Sequence, residues 1–402
     1  MVEGTKLNLQ SLVLETSREI GAGARVKIDF SGLLAHGTCL NLFPGMIICV
    51  EATNPSGSIL CATRMLECPL LDAPVTNGAD YKKFYPDGKN KNLSIIFASG
   101  PFALNDSLEY EPLTELLEVV QKEQPHLLVL MGPFVDVDHP LFKPGAVTDV
   151  DLTFEEVFRF KISSKLEKVR KVIPHLQIVL IPSQKEATLE WVAYPQPPIG
   201  SSIRDHDHIQ KLQELGLMTS NGQVWANLFP NPVQFTCNEV VVALSNLDSL
   251  RDLIQLGMTI NPPQPPAAIK QEGQQDQQPP PQPKDKFTTS FANIMDQRHF
   301  YPVFPHSAGA CIDSTRCLGS QPQDPCVLQV KPDILIMPSR LQYAIKQVNG
   351  SVCINPGFLV KGRTAGTFCK IQIHHLQSEG MSEEDVFEHC VADRTRVEII
   401  KL

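Results

Sequence analysis

At 402 residues and 42% hydrophobic content, the chain is long enough for one large domain and a smaller one, each with its own core. A formal net charge of -9 argues against a dominant nucleic-acid-binding role, which needs a concentrated basic surface. The segment Met1–Gln10 lacks a basic region leading into an apolar core, and no apolar stretch approaches the roughly 18 residues that span a bilayer, so the chain reads as soluble, intracellular and without a membrane partner. Eleven cysteines, an odd number with no C-x-x-C pair, favour reduced and mostly buried thiols over a disulfide framework or a zinc ribbon.

The first stretch, residues 1–70, reads as a small β-barrel. Short strand-like runs occur at Ser11–Glu15, Arg25–Phe30, Met46–Glu51 and Ile59–Ala62, with Asn54-Pro55-Ser56-Gly57 as a turn before the last. About four strands are visible, fewer than the five of a closed oligonucleotide-binding (OB) barrel. Either other parts of the chain complete the barrel, or the chain begins inside it and its amino-terminal part is missing. Residues 71–91, with Pro74, Asn77-Gly78 and Asp87-Gly88, read as a linker.

From residue 92 to 402 the character changes to alternating strands and helices. Leu93–Ala98 is a strand, and Pro112 opens an amphipathic helix with Leu113, Leu116, Leu117 and Val120 on one face. Leu127–Met131 follows as a strand. Thr153 and Glu156 form a capping box for a second helix carrying Phe154, Val157, Phe158, Ile162, Leu166 and Val169, which leads into the strand Ile178–Ile181. This alternation predicts parallel strands with right-handed crossovers.

Val240–Leu244 is a further buried strand, and Leu247–Leu256 is helix-like. In the tract Asn261–Asp285, 15 of 25 residues are Pro or Gln, a composition that cannot offset its ordering entropy and is expected as a disordered loop inserted in the domain. Helical pattern resumes at Phe291–Phe300. Ile334–Met337, Ser351–Ile354, Gly366–Ile373 and Arg396–Ile400 are β-like.

Four of these strands exit into proline: Ser99-Gly100-Pro101, Gly132-Pro133-Phe134, Pro182-Ser183-Gln184 and Pro338-Ser339-Arg340. The carboxyl ends of strands in an open α/β sheet form its ligand crevice. None of the four exits offers a carboxylate, a histidine or a thiolate.

Other residues invite a chemical reading and are weak on spacing. Asp205-His206-Asp207-His208 offers four adjacent ligand types, but successive side chains diverge and cannot converge on one ion, so a solvated loop is expected. Asp136, Asp138 and His139 follow the second exit, yet without ligands from other strand ends they cannot assemble a two-metal clamp. His374-His375 would point to opposite faces of a strand. Cys311, Cys317 and Cys326 are spaced by six and nine residues with no adjacent histidine, which argues against zinc. No phosphate loop, Gly-x-Ser-x-Gly elbow or His-Glu-x-x-His helix occurs. The expected catalytic, cofactor-binding and metal residues are therefore none.

An ordered set of segments carries a family resemblance. Ser11–Glu15, Leu42-Phe43-Pro44-Gly45, Ala98–Phe102, Gly132–Asp136, Tyr194–Pro198, Tyr301–Pro305, Pro332–Ser339 and Cys353–Gly357 resemble the accessory B subunits of the replicative DNA polymerases, the polymerase alpha branch above all. The resemblance implies an α/β chain, α+β overall. A small, incomplete OB-type β-barrel would precede a calcineurin-like phosphoesterase α/β domain lacking its metal ligands.

Active phosphoesterases of that superfamily carry Asp-x-His, Gly-Asp, Gly-Asn-His-Asp/Glu and Gly-His-x-His at these exits. Here the corresponding positions hold Ser99 to Pro101, Gly132-Pro133, Pro182 to Lys185 and Pro338 to Leu341. What the resemblance implies is a nuclear, non-catalytic scaffold without cofactor. It would bind the carboxyl-terminal domain of the DNA polymerase alpha catalytic subunit, join the primase subunits through the complex, meet DNA mostly indirectly and support RNA–DNA primer synthesis. The resemblance also implies an amino-terminal helical module and tether, which this chain is expected to lack. The alternatives from other classes are a metal-dependent phosphodiesterase or exonuclease, the B subunit of another replicative polymerase, and a single-strand DNA binder. The last would need stacking aromatics in a basic groove, and the barrel segment offers few.

Overall fold

The computed structural model describes residues 7–85, 92–143, 151–203, 207–262, 285–317, 324–376 and 382–402. Two compact units emerge, and they divide the chain differently from the boundaries 1–70, 71–91 and 92–402. One unit joins Met1–Leu70 with Leu250–Arg298 and Pro302–Ser307; the other holds Leu71–Ser249, His299–Tyr301 and Ala308–Leu402. Most of the Pro/Gln tract lies outside the described residues.

In the first unit, strands β1 (Val13–Glu15), β2 (Arg25–Asp29), β4 (Cys49–Thr53) and β5 (Ile59–Leu66) form a sheet in the order β1-β2-β5-β4, with β2 and β5 parallel. β3 (Leu40–Leu42) pairs antiparallel with β13 (Met258–Ile260), Leu42 opposite Met258 and Leu40 opposite Ile260. A segment more than two hundred residues away thus contributes a strand to this unit. Leu12, Ile28, Phe30, Leu33, Leu40, Leu42 and Ala62 form the core, with Met258 and Ile260 packed on it.

The strand expected at Met46–Glu51 is displaced to Cys49–Thr53. The side chain of Gln297 explains the shift: its Oε1 accepts the Ile47 N–H at 2.8 Å and its Nε2 donates to the Ile47 carbonyl at 3.0 Å, so that backbone is already satisfied. The helix expected at Phe291–Phe300 runs instead over Lys286–Asp296. Asp285 caps it, accepting the N–H groups of Phe287 and Thr288 at 3.0 and 3.1 Å.

The second unit is built on two sheets. The first has the order β10-β9-β8-β7-β19-β21, from β7 (Leu93–Ser99), β8 (Leu127–Met131), β9 (Gln177–Ile181), β10 (Asn227–Leu228), β19 (Thr367–Ile373) and β21 (Thr395–Lys401). β7, β8, β9 and β10 are parallel, as the alternating pattern predicts, while β19 runs antiparallel to both β7 and β21. The second sheet has the order β11-β12-β14-β16-β15, from β11 (Val233–Cys237), β12 (Val240–Leu244), β14 (Ile334–Ile336), β15 (Ala344–Val348) and β16 (Ser351–Asn355). Two small ribbons complete the unit: β6 (Val75–Asn77) with β20 (Val386–Glu388), and β17 (Val360–Lys361) with β18 (Thr364–Ala365).

The two-residue period of β7 to β9 sorts their side chains onto two cores. Ile95, Phe97, Val129, Met131, Val179 and Ile181 share a core with Val240, Val242, Leu244, Ile334 and Ile354 of the second sheet. The alternate residues Ile96, Ala98, Leu128, Leu130, Ile178 and Leu180 pack with Leu113, Leu116, Leu117 and Val120 of the helix Glu111–Glu123, and with Val157, Phe158, Ile162, Leu166 and Val169. Burial on both faces is why these strands read as continuous apolar runs. Each fully buried large apolar side chain contributes about 1.5–3 kcal/mol.

The expected capping box is present, with Thr153 Oγ1 accepting the Glu156 N–H and Glu156 Oε2 accepting the Thr153 N–H. The helix it starts continues through a π-type stretch, Phe158–Ser163, into Ser164–Val172.

Candidate functional site

The carboxyl ends of β7, β8, β9, β12, β14 and β16 converge in the second unit, and each exit is held by the backbone of its neighbour. The Gly100 N–H donates to the Met131 carbonyl at 2.7 Å, and the Gly132 N–H to that of Ile181 at 2.8 Å. The turns are packed too closely for larger residues. A Cβ on Gly100 would lie 2.2 Å from the Pro133 carbonyl oxygen, and one on Gly132 would lie 2.9 Å from Glu186 Oε2 and 3.1 Å from the Ser183 nitrogen. Ser99 is buried, and its Oγ has no hydrogen-bond partner.

Three carboxamides fill the centre. Asn246, just past β12, donates from Nδ2 to the carbonyls of Gly132 at 2.8 Å and Pro182 at 3.1 Å, tying two exits together. Its N–H reaches Asn231 Oδ1 at 2.8 Å, and Asn231 Nδ2 in turn donates to Gln196 Oε1 at 3.0 Å. Gln196 Nε2 donates to the carbonyls of Ser183 and Trp191, each at 2.9 Å. Asn231 and Gln196 are fully buried, and their backbones also pair. A fourth amide ties the β14 exit to the end of β16: Asn355 Oδ1 accepts the N–H groups of Ser339 and Gly357, and its Nδ2 donates to the Gln342 carbonyl, all at 3.0 Å. A satisfied neutral network of this kind avoids the cost of burying charge.

The ionisable groups near the crevice are engaged in holding its walls. Glu186 is buried, and its carboxyl accepts the N–H groups of Phe134 at 2.7 Å and Val135 at 3.0 Å, and the Thr188 hydroxyl at 3.2 Å. Burial nevertheless pushes it up to about 7, opposed by those hydrogen bonds and reinforced by Asp136. Burial likewise raises Asp136, against the hydrogen bond from the Asp138 N–H and the charge of Lys185. Asp138 is held low by its 2.6 Å contact with the Lys185 ammonium.

His139 uses both ring nitrogens: Nδ1 accepts the Leu141 N–H and Nε2 donates to the Leu104 carbonyl at 2.8 Å. Asp136 Oδ1 accepts the Asp138 N–H at 2.9 Å, so Asp136, Asp138 and His139 serve a turn, an ion pair and a second turn. Among the described residues, no three His, Cys, Asp or Glu side chains converge at these strand ends.

The other sequence candidates fall elsewhere. Asp205 and His206 lie outside the described residues; His208 Nδ1 contacts the Gly200 carbonyl at 2.7 Å. His374 and His375 stand just beyond the end of β19, with the His374 N–H and carbonyl both bonded to Arg394. Cys311 is exposed and its carbonyl accepts from Tyr194. Sequence reasoning missed Glu186, Asn231, Asn246 and Asn355. Asn231 and Asn355 each precede a proline, in Asn231-Pro232 and Asn355-Pro356, and an Asn-Pro step that starts a turn was the signal available.

The family models and the relatives agree with one another. The family described as the B subunit of DNA polymerase alpha/epsilon matches residues 95–346, and the OB domain of the DNA polymerase alpha B subunit matches residues 2–68. The chain is similar to the B subunit of DNA polymerase alpha from Schizosaccharomyces pombe, 31% identical over 99% of this chain and 62% of that protein. The Saccharomyces cerevisiae counterpart is 30% identical over 98% and 56%, and the Mus musculus counterpart 28% over 92% and 52%. The chain thus spans 52–62% of the length of these relatives. Likeness to solved structures is slight: an archaeal phosphodiesterase at 9% identity and TM-score 0.30 covers 77% of this chain and 99% of its own. Vacuolar protein sorting 29 from Cryptosporidium parvum gives 9% and 0.27, over 77% and 98%. With one family model matched across more than half of its length and relatives aligned over nearly all of it, the chain belongs to the B-subunit family of DNA polymerases alpha and epsilon, on the alpha side.

Proposed function

We propose that the chain is a non-catalytic accessory subunit of a polymerase alpha–primase assembly, holding the carboxyl-terminal domain of the catalytic subunit and acting in the nucleus during primer synthesis. The observation that carries the non-catalytic part is the network of Asn231, Gln196 and Asn246 at the strand ends. Two-metal phosphoryl chemistry requires anionic ligands from several strand ends aimed at one point. Here amides bonded to backbone carbonyls join the exits of β8 and β9, and the nearby carboxylates accept N–H groups or pair with lysine, which supports the reading. The family's relatives, each named as a subunit of DNA polymerase alpha, support the assembly part.

Co-expression with the carboxyl-terminal domains of the alpha, delta and epsilon catalytic subunits tests this reading. A one-to-one complex with the alpha domain alone is expected, and equal binding to another polymerase's domain would overturn it. Hydrolysis of bis-p-nitrophenyl phosphate with Mn²⁺, abolished by Asp136→Ala, would sink the non-catalytic assignment. Contact with DNA is expected to be indirect; binding of the isolated chain to oligonucleotides tighter than about micromolar at physiological salt would contradict that.

A further inference from the structure

Away from the strand ends, four side chains meet in the long connection of the second unit that lacks regular secondary structure. Ligand atoms of His299, Cys317, Asp324 and Cys326 all lie within 4.8 Å of one another. Cys317, Asp324 and Cys326 are buried and His299 is partly so. Backbone pairing fixes the arrangement. His299 and Val327 form an isolated antiparallel bridge, the Phe300 N–H donates to the Cys326 carbonyl at 2.9 Å, and Asp324 Oδ1 accepts the Cys326 N–H at 2.8 Å. The sequence argument against zinc rested on the cysteines having no adjacent histidine; the fold brings one from eighteen residues before Cys317.

We infer that the reduced chain binds one Zn²⁺ through Cys317, Cys326, His299 and Asp324, as a structural site. Two thiolates, an imidazole and a carboxylate are a borderline-soft, four-donor set that suits tetrahedral zinc and ill suits Mg²⁺ or Ca²⁺, which take oxygen. Bonds of about 2.0–2.3 Å at tetrahedral angles place donors roughly 3.3–3.8 Å apart, so the cluster must contract by about an ångström at its widest. Burial of a carboxylate beside two thiols is costly without a cation and is offset by one. Described residues 308–317 and 324–333 carry no helix or strand, so a metal tie would hold this connection where backbone ladders do not.

In the structure the two sulfurs are joined as a disulfide. The zinc form is its alternative: a dithiol reductant supplies two electrons and two protons to cleave the S–S bond, becoming a disulfide itself. The two Sγ protons then leave as the metal binds. His299 Nδ1 accepts the Tyr301 N–H at 3.0 Å in the metal-free arrangement. That tautomer places the ring proton on Nε2, so zinc at Nδ1 displaces the Tyr301 N–H, and zinc at Nε2 requires the proton to move to Nδ1, which breaks the same contact.

The test is the zinc content of the full chain, produced in cells, purified under reductant without chelator and measured by elemental and native mass spectrometry. One zinc per chain is expected, falling at least tenfold in Cys317→Ser/Cys326→Ser and substantially in Asp324→Asn, which keeps an oxygen for the Cys326 N–H. A zinc chelator should lower the melting temperature of the parent chain and leave that of the double variant unchanged. A folded parent chain without zinc, or a double variant retaining it, would overturn the inference. So would a Cys317–Cys326 cross-link in chain whose thiols were alkylated at the moment of lysis. The parent-chain measurements need no variant to fold.

Discussion

The two ends of the parallel strands in the second unit handle polar burial differently. At the carboxyl ends of β8, β9 and β12 the central groups are neutral amides, Asn231, Gln196 and Asn246. At the amino ends of β12 and β14 the buried groups are charged or chargeable. Glu239, with its side chain fully buried, pairs with Arg394 at 2.9 Å and accepts the Tyr85 hydroxyl at 3.0 Å. Asp333 accepts the Val241 N–H at 2.8 Å and contacts His389 Nδ1 at 2.7 Å, while His389 Nε2 meets Thr76 Oγ1 at 2.7 Å.

An α/β enzyme places its ionisable groups at the carboxyl ends; here Glu186 and Asp136 line that side, while Glu239, Asp333, His389 and Arg394 at the amino ends fasten β6, β20 and the approach to β21 onto the sheets.

The largest expected effect tests this fastening. Arg394→Ala leaves Glu239 buried without its cation and removes donors to the His389 and His374 carbonyls, which should cost about 3–5 kcal/mol of unfolding free energy in a denaturant titration. A loss under about 1 kcal/mol would show that the amino end does not depend on paired charge.

The next effect is a pH slope from the crevice wall. Burial raises folded Glu186 from its ordinary 4.5 to about 7, so the folded chain holds a proton that the unfolded chain has released. Its stabilising contribution is full below about pH 4.5 and is lost as pH rises through about 7, a change on the order of 3 kcal/mol. Glu186→Gln should flatten that slope in urea titrations between pH 5 and 8. It should also weaken the fold at pH 5, because one amide oxygen must replace two carboxyl oxygens toward Phe134 and Val135. An unchanged slope would place the group's titration elsewhere.

Asn246→Ala removes both donors that join the Gly132 and Pro182 exits, and about 2 kcal/mol should be lost in thermal or chemical unfolding. Equal stability would mean that the amide network is incidental to the crevice. The smallest effect belongs to the rim: Lys185→Ala breaks a 2.6 Å ion pair with Asp138 whose partners are 39% and 55% exposed, and should change stability by less than about 1 kcal/mol. In the same variant Asp138 should titrate closer to its ordinary range by NMR, since Lys185 is what lowers it.

Much of the second unit was legible because its signals are local. β8 and β12 occupy the residues expected for them, and Thr153 and Glu156 form the predicted box, since strand runs and caps are written within a few residues. The strand near Met46 was misplaced because Gln297, far along the chain, satisfies Ile47. The crevice was only half readable. Its exits could be recognised by their prolines, but nothing in the spacing of Glu186, Asn231, Asn246 and Asn355 says that they meet.

The sequence by itself determined the alternation of strands and helices, the lack of ligand residues at the four proline exits and the ordered segments of the polymerase B-subunit family, all features of neighbouring residues. Tertiary structure alone decided that β13 completes the pairing of β3, that carboxamides span the strand ends, and that His299 joins Cys317, Asp324 and Cys326. The reason is physical. Backbone propensity and hydrophobic period act over a few residues, whereas hydrogen-bond satisfaction and ligand convergence are settled between segments that only packing brings together.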